Sequence, residues 1–87
     1  MTVKEIFQQL KDINASCREA LQDEDFQRVK VLLQLKQDLF QLLRNMTFAP
    51  EDLPLVREVL ADEESLAGVA LQKRKELQTR SKKMIYH

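Results

Sequence analysis

Apolar residues recur at three- and four-residue intervals along most of this chain, and the densest pattern lies in residues 26–46, FQRVKVLLQLKQDLFQLLRNM, which contain neither Gly nor Pro. That spacing predicts a helix. With Leu32 as origin and about 100° per residue, Leu35, Leu39, Leu42 and Met46 cluster on one side, while Leu43, Val29, Phe40 and Leu33 fan out on the other. The arc is wider than the roughly 100° that covers a single neighbour. A wide arc implies two neighbours, or one neighbour and a bound partner. This helix is therefore expected to be the spine of the fold and the floor of a groove.

A first amphipathic helix is expected over about 3–21. Thr2 is placed to cap it, with Glu5 three residues later completing a capping box. Val3, Ile6, Phe7, Leu10, Ile13, Cys17, Ala20 and Leu21 fall in an arc of roughly 140°. The acidic break QDED follows, where Asp23 is expected to cap a helix of about 24–46 that begins at Glu24, with Asp25 at its positive end. So short a connection makes the two helices antiparallel neighbours. Lys36 and Arg28 interrupt the apolar arc of the second helix. Their stems are expected to lie over core residues with the charged heads in water; the alternative for Lys36 is a carboxylate on a neighbouring helix or a bound protein.

The breaker cluster TFAPEDLPL separates this hairpin from the rest of the chain. Asp52 is the expected N-cap ahead of Leu53 and Pro54, with Thr47 capping a shorter turn near Ala49. Phe48 either folds back over the end of the hairpin or joins Leu53 in an exposed contact surface. A third helix is expected over about 53–84, with Leu53, Val56, Leu60, Ala67, Ala70 and Leu71 on one face and a kink or short loop near residues 61–62. Gly68 costs about 1 kcal/mol inside a helix without ending it. Beyond Leu71 the apolar arc passes through Arg74, Leu77 and Ser81, so residues 73–87 are expected to be weakly held. Charge divides along the same helix. Residues 51–64 hold six acids against Arg57, and residues 73–83 hold six bases against Glu76. The helix dipole favours that arrangement by itself; a masking tail or a basic patch for an acidic partner would use it too.

Eighty-seven residues with one Gly and two Pro leave little from which to build hairpins of strands. The expected fold is all-α, a small bundle of three to four helices in one domain, built on an antiparallel αα-hairpin. Its core is small enough to be completed by oligomerisation or by a partner. Fourteen cations balance fourteen acids, so no single-sign field attracts nucleic acid or an anionic membrane. A lone Cys17 fits a reducing cytoplasm, and no run approaches the length of a membrane span or secretory signal. His87 is the only histidine and stands at the last position, without fixed neighbours to orient it. No catalytic, metal or cofactor site is expected, and Tyr86 beside Lys82 and Lys83 is a weak nucleic-acid signal.

The order of features, ending in a last helix of the form ESLAGVALQKRKELQ, resembles the FliT-like family of flagellar type III export chaperones. The resemblance spans roughly residues 21–80. It is carried by Leu32, Leu35, Lys36, Leu39, Leu42 and Leu43 in the second helix, with Lys36 where the family would place Arg. In the last helix it is carried by Leu66, Ala70, Arg74 and Leu77. It implies a cytoplasmic chaperone that holds an amphipathic helix of a secreted, cap-type flagellar protein, with residues 74–84 as a regulatory tail. Leu39, Phe40, Leu43, Val56, Leu60 and Leu66 are then candidates for the core or groove, and Arg74, Leu77 and Arg80 for the partner-facing or masking segment. A homodimeric helical adaptor is the alternative from another class, and a nucleic-acid binder using residues 73–83 is less favoured.

Overall fold

The computed structural model describes the backbone of residues 1–85 and side chains through Arg80; the readings that involve Tyr86, His87 and the side chains of residues 81–85 lie outside the described residues. Three helices make an all-α bundle: α1 (Val3–Gln22), α2 (Phe26–Arg44) and α3 (Leu53–Ile85), with a single 3-10 turn at Pro50–Asp52 leading into α3. Among the described residues no helix is long and apolar enough to cross a membrane.

Helix α1 begins where the sequence indicates, because the Glu5 backbone N–H donates to Thr2 Oγ1 at 3.1 Å and so satisfies one of the free donors of the first turn. Its end differs from expectation. The N–H of Glu24 donates to the Leu21 carbonyl and that of Asp25 to the Ala20 carbonyl, a Schellman arrangement in which Glu24 takes φ 57°. Glu24 therefore cannot start α2. Asp25, rather than Asp23, caps that helix by accepting from the Arg28 N–H at 3.2 Å. Ahead of α3, Asp52 does not act as the expected N-cap: it ends the 3-10 turn, and its carboxylate turns back to accept from the Ala49 N–H at 2.9 Å, closing the turn near Ala49 that Thr47 was expected to cap. Phe48 folds back to a ring-centroid distance of 6.1 Å from Phe7, yet stays 46% exposed.

The centre of the bundle is α1, not α2. Val3, Ile6, Phe7, Leu10, Asn14, Cys17, Ala20 and Leu21 are all buried in α1, whereas α2 buries only Lys36, Leu39 and Leu43. Helices α2 and α3 each pack chiefly against α1. One cluster gathers Val3, Ile6, Phe7, Leu10, Leu39, Leu43 and Val59; a second gathers Cys17, Leu21 and Leu66. The wide arc of α2 is thus only partly used: Val31, Leu35 and Leu42 remain 61%, 46% and 50% exposed.

Helix α3 runs unbroken over 33 residues, so the break expected near residues 61–62 is absent. Asp62 and Glu63 neither cap a helix nor point freely to solvent; their carboxylates are bound by side chains of α1 and α2, and the helix continues through them. The face α3 presents to the core also differs from the one expected. Leu53, Leu60 and Leu71 are 51%, 59% and 53% exposed, and Ala67 and Ala70 are exposed too. The buried positions are Val59 and Leu66, on a seam continued by Asp62, Glu63, Val69, Lys73 and Leu77, roughly 100° around the helix. At 1.5 Å per residue α3 is about 50 Å long against about 30 Å for α1. Its last turns therefore extend past the α1–α2 turn, and the molecule measures 57 × 21 × 18 Å.

Candidate functional site

Three features compete for a functional role: a charged network between the helices, an apolar groove at the α2–α3 connection, and a second groove at the α1–α2 turn.

The network is assembled from all three helices. Asn14 Nδ2 donates to Asp62 Oδ2 at 2.8 Å and to Glu63 Oε1 at 2.9 Å. Arg18 donates to Asp62 Oδ1 at 2.7 Å, and Lys36 Nζ to Glu63 Oε2 at 2.6 Å. Lys36 is 6% exposed and Asn14 fully buried, so the expectation that the Lys36 head reaches water is corrected. Its stem is enclosed in the bundle, and among the described residues its ammonium is paired with the Glu63 carboxylate of α3. Asn14 Oδ1 has no donor among the described residues. Asn14 was not among the residues singled out from sequence; its place within the apolar arc of α1, between Leu10 and Cys17, is the signal that could have found it as a buried polar group needing a partner.

Burial pushes the Asp62 carboxyl up, but hydrogen bonds from Arg18 and Asn14 outweigh it and hold the group below its ordinary value. The stability Asp62 contributes is therefore complete above the usual aspartate value of about 3.9 and is lost as pH falls through the lower folded value. Asp62→Asn is expected to flatten the acid limb of a stability profile. Urea midpoints between about pH 2 and 5 check this, and an unchanged acid limb contradicts it. Burial also raises the Cys17 thiol, which disfavours the reactive thiolate. The charges here neutralise one another and hold helices together, and among the described residues no group of His, Cys, Asp and Glu is placed to hold a metal.

At the connection end, α2 and α3 diverge and leave an open groove of about 370 Å³. Its floor is Phe7, Leu43 and Val59; Phe40, Phe48, Val56 and Leu60 form the walls, and Arg44 stands on the rim. Of the residues singled out from sequence, Phe40, Leu43, Val56 and Leu60 are brought together here. Leu39 is in the same core cluster but does not line the groove, and Leu66 belongs to the second core cluster. Phe7, Arg44 and Val59 were not singled out as groove residues, while Phe48, expected to fold back or to join a contact surface, lines the groove after folding back onto Phe7.

At the other end, Leu21, Phe26, Ala70, Leu77 and Gln78 line a groove of about 660 Å³ with Lys73 and Arg74 beside them. This brings Arg74 and Leu77 together but separates them from the first set by the length of the bundle. Arg80 does not line this groove, but it donates to Glu24 at 2.8 Å, and the lining residue Lys73 stands 3.9 Å from the same carboxylate. The hydrogen bond from Arg80 lowers the Glu24 carboxyl, and the same bond raises the Arg80 guanidinium. Residues 73–80 are thus held to the α1–α2 turn by charge, where the apolar pattern alone gives them little grip. Nothing in the sequence around Glu24 signals this, since the contact spans 56 residues. Comparison with protein-family models, with curated proteins and with solved structures finds no significant match to this chain.

Proposed function

We propose that this chain is a cytoplasmic helix-binding chaperone that shields an amphipathic helix of a secreted flagellar protein of the cap type. The observation that carries the binding reading is the groove at the connection end, where Leu60 and Phe48 stand 59% and 46% exposed above buried Leu43 and Val59. An amphipathic helix laid there gains about 25 cal/mol for each Å² of apolar surface removed from water. Arg44 on the rim fixes its register through charge. The flagellar identity of the partner is supported by the leucine spacing of α2 and the last helix, as set out above, and catalysis plays no part in the proposal.

Leu60→Glu tests it. Because Leu60 is already mostly exposed, the variant is expected to melt within a few degrees of the wild type while losing at least about tenfold in affinity for the partner. The readout is retention of a cap-type protein from lysate of the source organism, or on co-expression, by the folded wild type and not by the variant. Failure of the folded wild type to retain such a protein overturns the reading.

A second reading, a homodimer, is favoured by one observation: Val31, Leu35 and Leu42 form an exposed row on the outer side of α2. Sedimentation over a concentration series separates the two, with a persistent monomer excluding the dimer.

A further inference from the structure

The acids in the first half of α3 are largely neutralised within the bundle: Glu58 by Lys11, Asp62 by Arg18 and Glu63 by Lys36. The cations in its second half are neutralised only in part. Residues 73–80 hold Lys73, Arg74, Lys75 and Arg80 against Glu76. Glu76 pairs with Lys73 at 3.1 Å, Glu24 serves Lys73 and Arg80 together, and Arg74 forms no ion pair among the described residues. Overall neutrality of the chain therefore conceals a local positive surplus, and it borders the groove floored by Leu21, Phe26, Ala70 and Leu77. Phe26 is 43% exposed there.

Glu24 supplies a second observation. It occupies φ 57°, a region where glycine is the usual residue at the end of a helix. A side chain is held in this position with its carboxylate laid on Arg80 and close to Lys73 at the groove's edge. An observed backbone outlier of this kind supports an inference of function. Here the carboxylate occupies cations that an acidic ligand would use.

We propose that the turn-end groove docks an acidic amphipathic helix of a partner protein, with its apolar residues on Phe26 and Leu77 and its carboxylates on Arg74, Lys73 and Arg80, displacing Glu24. The proposal rests on the reading of this chain as a helix-binding protein and adds the chemistry of the partner and a second place of contact. The floor is apolar and concave, and among the described residues its cations, Lys73 and Arg74, both come from α3 and stand on either side of Ala70 and Leu77, which suits a two-faced helix. Nucleic acid calls instead for cations that track successive phosphates together with aromatic platforms for bases; among the described residues Phe26 is the sole aromatic in the lining.

The test uses a fluorescent synthetic peptide of about 18 residues, with leucines at helical spacing on one face and glutamates on the other, and a second peptide with lysine in place of glutamate. The full chain is expected to bind the acidic peptide at least about tenfold more tightly than the basic one, with affinity falling as salt rises. Arg74→Glu, at an exposed position, is expected to weaken binding by about tenfold, and Glu24→Gln to strengthen it by several-fold, both with circular dichroism unchanged. Equal binding of the two peptides, or indifference to both substitutions, overturns the proposal. So does tighter binding of anionic phosphatidylglycerol vesicles or of single-stranded DNA in the same assay. The two readings fail separately. If lysate retention is lost in Leu60→Glu and kept in Arg74→Glu, the chaperone reading stands and the acidic docking site falls; if the acidic peptide binds with the expected responses and no cap-type protein is retained, the reverse holds.

Discussion

Lys36→Met is expected to destabilise the protein by about 3 kcal/mol, the low end of the range for removing one partner of a buried ion pair. Lys36 is almost entirely enclosed, and its ammonium lies 2.6 Å from Glu63 Oε2. Methionine fills the same space, so packing is preserved and the loss isolates the charge. What remains is a Glu63 carboxylate with 26% of its side chain exposed, still bonded to Asn14 but lacking a counter-charge. That partial exposure keeps the figure near the bottom of the range. The double variant Lys36→Met/Glu63→Gln is expected to return to wild-type stability or exceed it, because the glutamine carbonyl still accepts from Asn14 and no lone charge is left behind. Urea denaturation of the four proteins in this cycle measures the coupling. A single-variant loss below about 1 kcal/mol would mean that water reaches the pair.

Leu10→Ala is expected to cost about 2–5 kcal/mol. Leu10 is completely buried at the centre of the larger core cluster, between residues of α2 and α3. Its loss leaves a cavity that two flanking helices would have to close together. An 87-residue chain holds about 4–13 kcal/mol in total, so this one side chain accounts for much of the margin. Leu60→Ala on the groove wall is the control, and it should change the urea midpoint little. Equal effects at the two positions would contradict the placement of α1 at the centre.

Helix α1 was legible from its sequence because all but one of its buried positions are apolar, and Thr2 marks its start. The candidate groove was legible in part, through Phe40, Leu43, Val56 and Leu60. Helix α3 misled for a physical reason: Asp62, Glu63 and Lys73 occupy its inner seam. A wheel ranked by hydrophobicity turns such a helix toward its exposed leucines, since charge compensation across 27 to 49 residues is invisible to any local pattern. Helix α2 misled in the opposite direction. Its excess of leucine suggested the centre, and the excess is instead what the bundle leaves uncovered.

The central place of α1 also has a consequence for biosynthesis. Leu21 must wait for Leu66, 45 residues later in the chain, before its cluster can close. At bacterial or eukaryotic elongation rates that delay is roughly 2–9 s. For the last 22 of those residues, after Arg44 has been added and for about 1–4 s, the most apolar face of the molecule has only half its cover, supplied by α2. Every nascent copy therefore spends seconds as an open two-helix ribbon, and it is then that other sticky segments on the same polysome can be mistaken for α3.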